Sequence, residues 1–163
     1  MKDWAELLRQ AYEHGKNSPD PSTKNGSLLF DEKCGDVRVI GFNHFANGVL
    51  ETEERWQRPL KYNYIVHAEV DVIAIAANVG VMTNGLTMVC PWAACSRCAG
   101  PMIQAGIKKL VTHKQAHDCS HGDWANEIIL AFGMFKEARL EVVMYDGLVG
   151  VSGVLQNGQL HDR

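Results

Sequence analysis

Apolar residues at Trp4, Leu7, Leu8, Ala11 and Tyr12 recur at intervals of three and four, which predicts an amphipathic helix over residues 3–16. The run Asn17-Ser18-Pro19-Asp20-Pro21-Ser22 ends it in a loop. Residues 27–30 and 37–42 read as two strands joined by a turn-rich stretch at 31–36. Residues 43–63 show little periodicity and predict a long, partly helical loop, a length that in a compact domain usually serves function. Residues 66–79, rich in Ala, Val and Ile, predict a buried helix. Asn84-Gly85 is a turn before a short strand at 86–90. A helix at 95–105 is closed by Gly106. A strand at 109–112, a second amphipathic helix at 123–138 and a last strand at 140–145 follow. Residues 147–163 carry glycines and no clear pattern, and are expected to be a tail or an oligomer contact.

Strands and helices alternate through the second half. That order predicts an α/β protein: a central sheet, partly parallel, with helices on both faces. No internal repeat or linker divides residues 1–146, so a single domain is expected, and 163 residues suffice for one core. Hydrophobic residues make up 46% and charged residues 21%, as in ordinary globular proteins. No basic stretch followed by an apolar run and a cleavage site opens the chain, and no apolar run approaches the ~18 residues of a membrane span. A cytoplasmic protein with no membrane partner is the expectation.

The five cysteines, at 34, 90, 95, 98 and 119, are odd in number and scattered, unlike a disulfide framework. The close pair Cys95 and Cys98 reads better as a metal or redox site. Net charge is -3 and no Lys/Arg run exceeds Lys108-Lys109, which argues against a long nucleic acid and for a small substrate.

Two segments carry the chemistry: His67-Ala68-Glu69 and Cys95-Ser96-Arg97-Cys98. Helical residues two apart point about 200° away from each other, so His67 and Glu69 serve one centre only if a metal sits beyond the N-terminal end of their helix. Cys95 and Cys98, three apart, share a face. If their helix also begins there, one imidazole and two thiolates supply three of the four tetrahedral positions of zinc and leave the fourth for water. Zinc with two thiolates and a hydroxide carries a net charge of -1, which two helix N-termini would stabilise. Glu69 is then free to take the water's proton, pass it to the ring nitrogen of a base and help the amino group leave. H-x-E followed by P-C-x-x-C is an established signature of zinc deaminases.

From about residue 4 to 146 the chain resembles the deoxycytidylate (dCMP) deaminase family of the cytidine-deaminase-like zinc superfamily. The resemblance rests on Ser18-Pro19-Asp20-Pro21-Ser22-Thr23 with Gly26, on Gly41-Phe42-Asn43, on His67-Ala68-Glu69 and Cys95-x-x-Cys98, and on Ile103-Gln104-Ala105-Gly106-Ile107. It implies a three-layer α/β/α fold with a mixed sheet of roughly five strands. It further implies one catalytic zinc per chain, hydrolysis of dCMP to dUMP and ammonia by a zinc-bound hydroxide, and a homo-oligomer, a hexamer among the forms. Asn43 is implied to contact the sugar and the Ala68 backbone the base; many members answer to dCTP and dTTP. The chain departs from the family at Ala94, where Pro is usual, at Asp71 (Asn), at Lys24-Asn25 (Gln-Val), at His44 (Gly) and at Ala46 (Pro). A carboxylate at Asp71, if it faced the pocket, would repel a phosphate.

Each signal has a plainer reading. Cys95 and Cys98 also suit a structural zinc or a redox pair, Glu69 a helix N-terminal acid, and Asn43 a turn. Trp92 suits the core or a wall against the base. Arg55, Arg58 and Lys61 suit a solvated loop or a phosphate contact. His113, His117, Cys119 and His121 suit a polar surface loop, a second metal or the mouth of the pocket. Cys34, Cys90 and Cys119 read as free thiols, mainly buried. The same chemistry on deoxycytidine, dCTP or a modified cytosine nucleotide stays open, as does a non-catalytic zinc-containing nucleotide-binding subunit. Retention of Glu69 argues against the subunit, and net charge argues against a tRNA adenosine deaminase.

Overall fold

A computed structural model describes residues 3–163. In chain order the elements are α1 (Trp4–Gly15), β1 (Gly26–Asp31), β2 (Asp36–Phe42), β3 (His44–Phe45), α2 (Lys61–Tyr64), β4 (Ile65–Val66), α3 (Ala68–Val79), β5 (Thr87–Val89), α4 (Ser96–Gln104), β6 (Lys109–His113), α5 (Lys114–Asp118), α6 (Gly122–Glu137), β7 (Glu141–Tyr145), β8 (Val154–Gln156) and β9 (Gln159–His161). The main sheet has five strands in the order β2-β1-β5-β6-β7. The pairs β2·β1 and β1·β5 are antiparallel, and β5·β6 and β6·β7 are parallel. This is the mixed sheet expected from the sequence.

Period-two alternation sorts the strand side chains between two cores. Leu29, Val39, Met88 and Leu110 face the helices α3, α4 and α6; Leu28, Val89 and Val111 face α1. Parallel strands buried on both faces need apolar side chains in both directions, and β5 and β6 supply them. The result is a three-layer α/β/α arrangement.

Helix α1 starts with Asp3 as its N-cap, whose carboxylate accepts from the Glu6 N–H. Its far end lies on the start of β1, where two glycines permit the approach. A Cβ on Gly26 would stand 2.0 Å from the Ala11 carbonyl oxygen, and one on Gly15 would stand 2.6 Å from the Gly26 nitrogen.

Two stretches differ from the sequence reading. Residues 147–163, read as a patternless tail, are built into the domain: Val149, Val151 and Val154 are buried beside α1, and β8 and β9 form a hairpin. Glycines interrupt the valine spacing, and only the long-range contact with α1 reveals it. The 43–63 loop is more ordered than its sequence suggests. Phe45 is fully buried, stacked on Trp56 with ring centres 4.0 Å apart and tilted against Tyr64.

Substituting Gly26→Ala is expected to lower unfolding stability by roughly 1–3 kcal/mol, because the obstructing atoms are backbone and cannot swing away. The midpoint of urea denaturation measures it.

Candidate active site

Helices α3 and α4 share an unusual beginning. The N-cap of α3 is His67 and that of α4 is Cys95, both extended, and neither side chain caps its helix. Ser, Thr, Asp or Asn would normally fill such positions and satisfy a first-turn N–H. Here the two side chains turn to each other, and Cys98 joins them from the first turn of α4. His67 Nδ1 lies 3.3 Å from Cys98 Sγ and 3.5 Å from Cys95 Sγ, and the two sulfurs are 3.6 Å apart. Two thiolates and an imidazole at tetrahedral zinc, with bonds of about 2.3 and 2.0–2.1 Å, stand about 3.8 Å (S to S) and 3.6 Å (N to S) from one another. The triangle matches that geometry. Among the described residues it is the one group of three His, Cys, Asp or Glu side chains spaced to hold a metal ion.

The electrostatics of the triangle suit a cation. A hydrogen bond from Cys98, opposed by burial, holds the Cys95 thiol down to about 4, and the reciprocal interaction pushes Cys98 far up. Two sulfurs this close do not both ionise unaided, and a dication between them makes both thiolates. Burial pulls His67 down, but the Cys95 sulfur and the Glu69 carboxylate outweigh it and leave the imidazole above its ordinary value.

Glu69 sits in the first turn of α3, 3% exposed, on the wall of a cleft of about 700 Å³ that also takes in His67. Burial pushes its carboxyl up to about 7, against the pull of His67. Ala68 and Trp92 line the same cleft. Trp92 donates its indole N–H to Ser120 Oγ at 2.8 Å, and its ring leans on Trp124 with centres 5.3 Å apart.

Asn43 also lines the cleft, but its side chain is largely committed. Its amide N–H groups reach Asp20 Oδ2 and the Thr23 carbonyl, and its Oδ1 accepts the Asn25 N–H. One lone pair of Oδ1 is left to meet a ligand. Asp20 organises this wall. Its Oδ1 accepts from the Ser22 N–H and hydroxyl and the Thr23 N–H, and its Oδ2 lies 2.5 Å from Lys61 Nζ as well as facing Asn43.

Of the three loop cations, Arg58 and Lys61 line the cleft, and Arg58 also lies 5.9 Å from the Tyr62 ring centre. Lys61 is buried against Asp20 and Ser22, and burial lowers its pKa. Arg55 is spent on the Leu50 carbonyl and the Tyr64 ring. Arg97, between the two cysteines, also lines the cleft, and neither Arg58 nor Arg97 has a carboxylate partner among the described residues.

Asp71 faces away from the cleft, towards β2 and His44. The His113 group disperses: His113 is buried between Tyr12 and the Gly147 carbonyl, His117 stacks on Phe132, Cys119 meets Arg163, and only His121 reaches the cleft. Cys90 is buried, whereas Cys34 is exposed.

Sequence reasoning missed Trp124, Asp123 and Glu127 of α6, and Asn157 of the terminal hairpin, all of them cleft residues. For α6 a signal existed. It follows the carboxyl end of a parallel strand, the edge where open α/β sheets bind ligands.

This fold and site define a cytidine-deaminase-like α/β protein in which a His-Cys-Cys triangle stands beside a buried acid. Residues 1–114 match the family described as the cytidine and deoxycytidylate deaminase zinc-binding region, and the chain belongs to that family of deaminases. It is 31% identical over 143 residues to an uncharacterized deaminase in the luxG 3′ region of Aliivibrio fischeri, covering 87% of this chain and 93% of that protein. It is 28% identical over 116 residues to human deoxycytidylate deaminase, covering 67% of this chain and spanning 64% of the human protein's length. In fold it resembles the dCMP deaminase of cyanophage S-TIM5, with a TM-score of 0.63 at 18% identity over 89% of this chain and all of that one. The phage enzyme has also been solved in complex with dCMP and dUMP.

Replacing Asp20 with Ala strands the buried Lys61 ammonium and should cost about 3–5 kcal/mol in chemical denaturation. A second expectation concerns acid. Burial holds the folded pKa of His113 below its unfolded value. Stability from its neutral form is present above about 6.5 and lost as pH falls through the folded value. His113→Gln should flatten that part of the acid limb in thermal melts against pH.

Proposed function

We propose that this chain hydrolyses the amino group of a cytosine nucleotide, converting dCMP to dUMP and ammonia. The observation that carries the reading is the His67, Cys95 and Cys98 triangle with Glu69 buried at its side. The three are proposed to hold one zinc ion per chain, which supplies the Lewis acidity that makes a water nucleophilic near neutral pH. Glu69 takes a proton from that water and delivers it to the ring nitrogen next to the carbon under attack. The water oxygen bonds to the carbon that bears the amino group. Glu69 then moves the remaining hydroxyl proton to the amine, the C–N bond breaks, ammonia leaves and the oxygen stays as the carbonyl of the uracil ring.

Trp92 and Trp124 offer apolar faces for the base, the Ala68 backbone lies at its edge, and Asn43 presents Oδ1 towards the sugar. Arg58 and Arg97 suit the phosphate. Relatives that carry the name deoxycytidylate deaminase support the choice of substrate. Three further cysteines, Cys34, Cys90 and Cys119, remain as free thiols, which suits a reducing cytoplasm. The exposed Ile129 and Leu130 on α6 suit a subunit contact in a homo-oligomer. A second reading, the same chemistry on deoxycytidine, is favoured by the carboxylates of Asp123 and Glu127 in the cleft wall, which repel a phosphate.

Ammonia release from dCMP, deoxycytidine and dCTP, measured side by side, decides between them; dCMP is expected to be preferred, and turnover of none overturns both. The purified protein should carry one equivalent of zinc. Glu69→Gln should keep that zinc and lose about 10²–10⁴ in kcat, and near-normal rates in this variant would overturn the proton route.

A further inference from the structure

His44 and Asp71, 27 residues apart in the chain, are partners. Asp71, in the first turn of α3, is 8% exposed. Its Oδ1 is 2.9 Å from His44 Nε2 and its Oδ2 accepts the Phe42 N–H at 3.1 Å. The other nitrogen of His44, Nδ1, faces the Phe45 carbonyl oxygen. Gly41 makes the approach feasible, since a Cβ there would stand 2.3 Å from Asp71 Oδ2.

The place of this contact gives it a consequence. Residues 42–44 are a bridge. Phe42 and His44 are held by α3, the helix that opens on His67 and carries Glu69. Asn43, between them, is held by the opposite wall: its N–H reaches the Asn25 carbonyl, and its own carbonyl accepts the Ser18 hydroxyl at 2.6 Å. On the other side His44 pairs with Val66, the residue before His67. A buried carboxylate costs free energy unless charge or hydrogen bonds compensate it. His44 and the Phe42 N–H supply that compensation only while the bridge keeps its place.

We propose that His44 and Asp71 form a positioning pair that locks the Asn43 wall of the cleft to the first turn of α3, so that substrate contact and proton carrier keep a fixed separation. Neither side chain is among the residues lining the cleft, so the pair acts through the elements it joins. Either residue alone is a defect. Asp71 without His44 is a buried carboxylate on one N–H, and His44 with an amide at 71 keeps a contact only by accepting the amide N–H through Nε2, so a charge-assisted bond becomes a neutral one. The combination of Gly at 44 with Asn at 71 removes both demands at once.

The kinetic part rests on the deamination reading, and the structural part does not, so the test has two readouts over a double-mutant cycle of His44→Gly, Asp71→Asn and the pair together. Each single variant should lower kcat/KM on dCMP about tenfold, mainly through KM, and the double variant should return to within about threefold of the parent. In hydrogen exchange, the amides of Asn25, Phe42 and Asn43 and those of the α3 first turn should exchange about tenfold faster in the single variants, and those of β6 should not. Exchange that rises equally in β6, effects that multiply in the double variant, or single variants within twofold of the parent in exchange would overturn the pairing role. If the parent turns over no cytosine nucleotide, the deamination reading falls, and the exchange cycle still decides the pair.

Discussion

One nitrogen and two sulfurs within about one van der Waals contact of each other, at the starts of two different helices, are the demand around which this chain is organised. Meeting it takes two helix starts at one point. The price is two N-caps that cap nothing, so the first-turn N–H groups of α3 and α4 point at the place where anionic sulfurs gather. That arrangement is unfavourable for an isolated helix and favourable around a dication. The rest of the sheet follows from it. Strand β5 and the turn after it deliver Cys95, and the small β3·β4 ribbon delivers His67.

The second demand is a wall for the ligand, and it is met by different physics. Asp20 collects donors from Ser22, Thr23, Asn43 and Lys61 in a region almost without solvent. A carboxylate in that position is stable because every donor is in place, and its loss leaves several of them unpaired. Asn43 is consequently a structural member of the wall as well as a candidate contact, with most of its hydrogen-bonding capacity already used.

How much of this was legible beforehand depended on range along the chain. The strands at 27–30 and 109–112 are local patterns, and the alternation of strands with helices predicts a sheet covered on both faces. The His-x-Glu and Cys-x-x-Cys spacings are local too, and simple helix geometry predicts that their side chains can serve one centre only beyond the helix starts, where His67 and Cys95 are found. The commitments of Asn43 lie up to 23 residues away, at Asp20, and the Asp71 carboxylate meets His44 across 27 residues; neither pairing leaves a periodic trace. Asp71 read as a threat to a phosphate because its direction was unknown, and the structure turns it to the back of the site. The glycine-interrupted valines after residue 147 gave no period, although they bury against α1.

The terminal hairpin adds a matter of timing. Its backbone bonds to the 22–24 segment through Lys24 N–H to the Leu155 carbonyl, Gly158 N–H to the Ser22 carbonyl, and Asn157 N–H to Thr23 Oγ1. Asn157 thereby becomes part of the rim. During synthesis, every strand of the five-stranded sheet and the side chains of His67, Cys95 and Cys98 emerge from the ribosome before these residues do. A growing chain therefore has His67, Cys95 and Cys98 in hand while one side of the cavity is still missing.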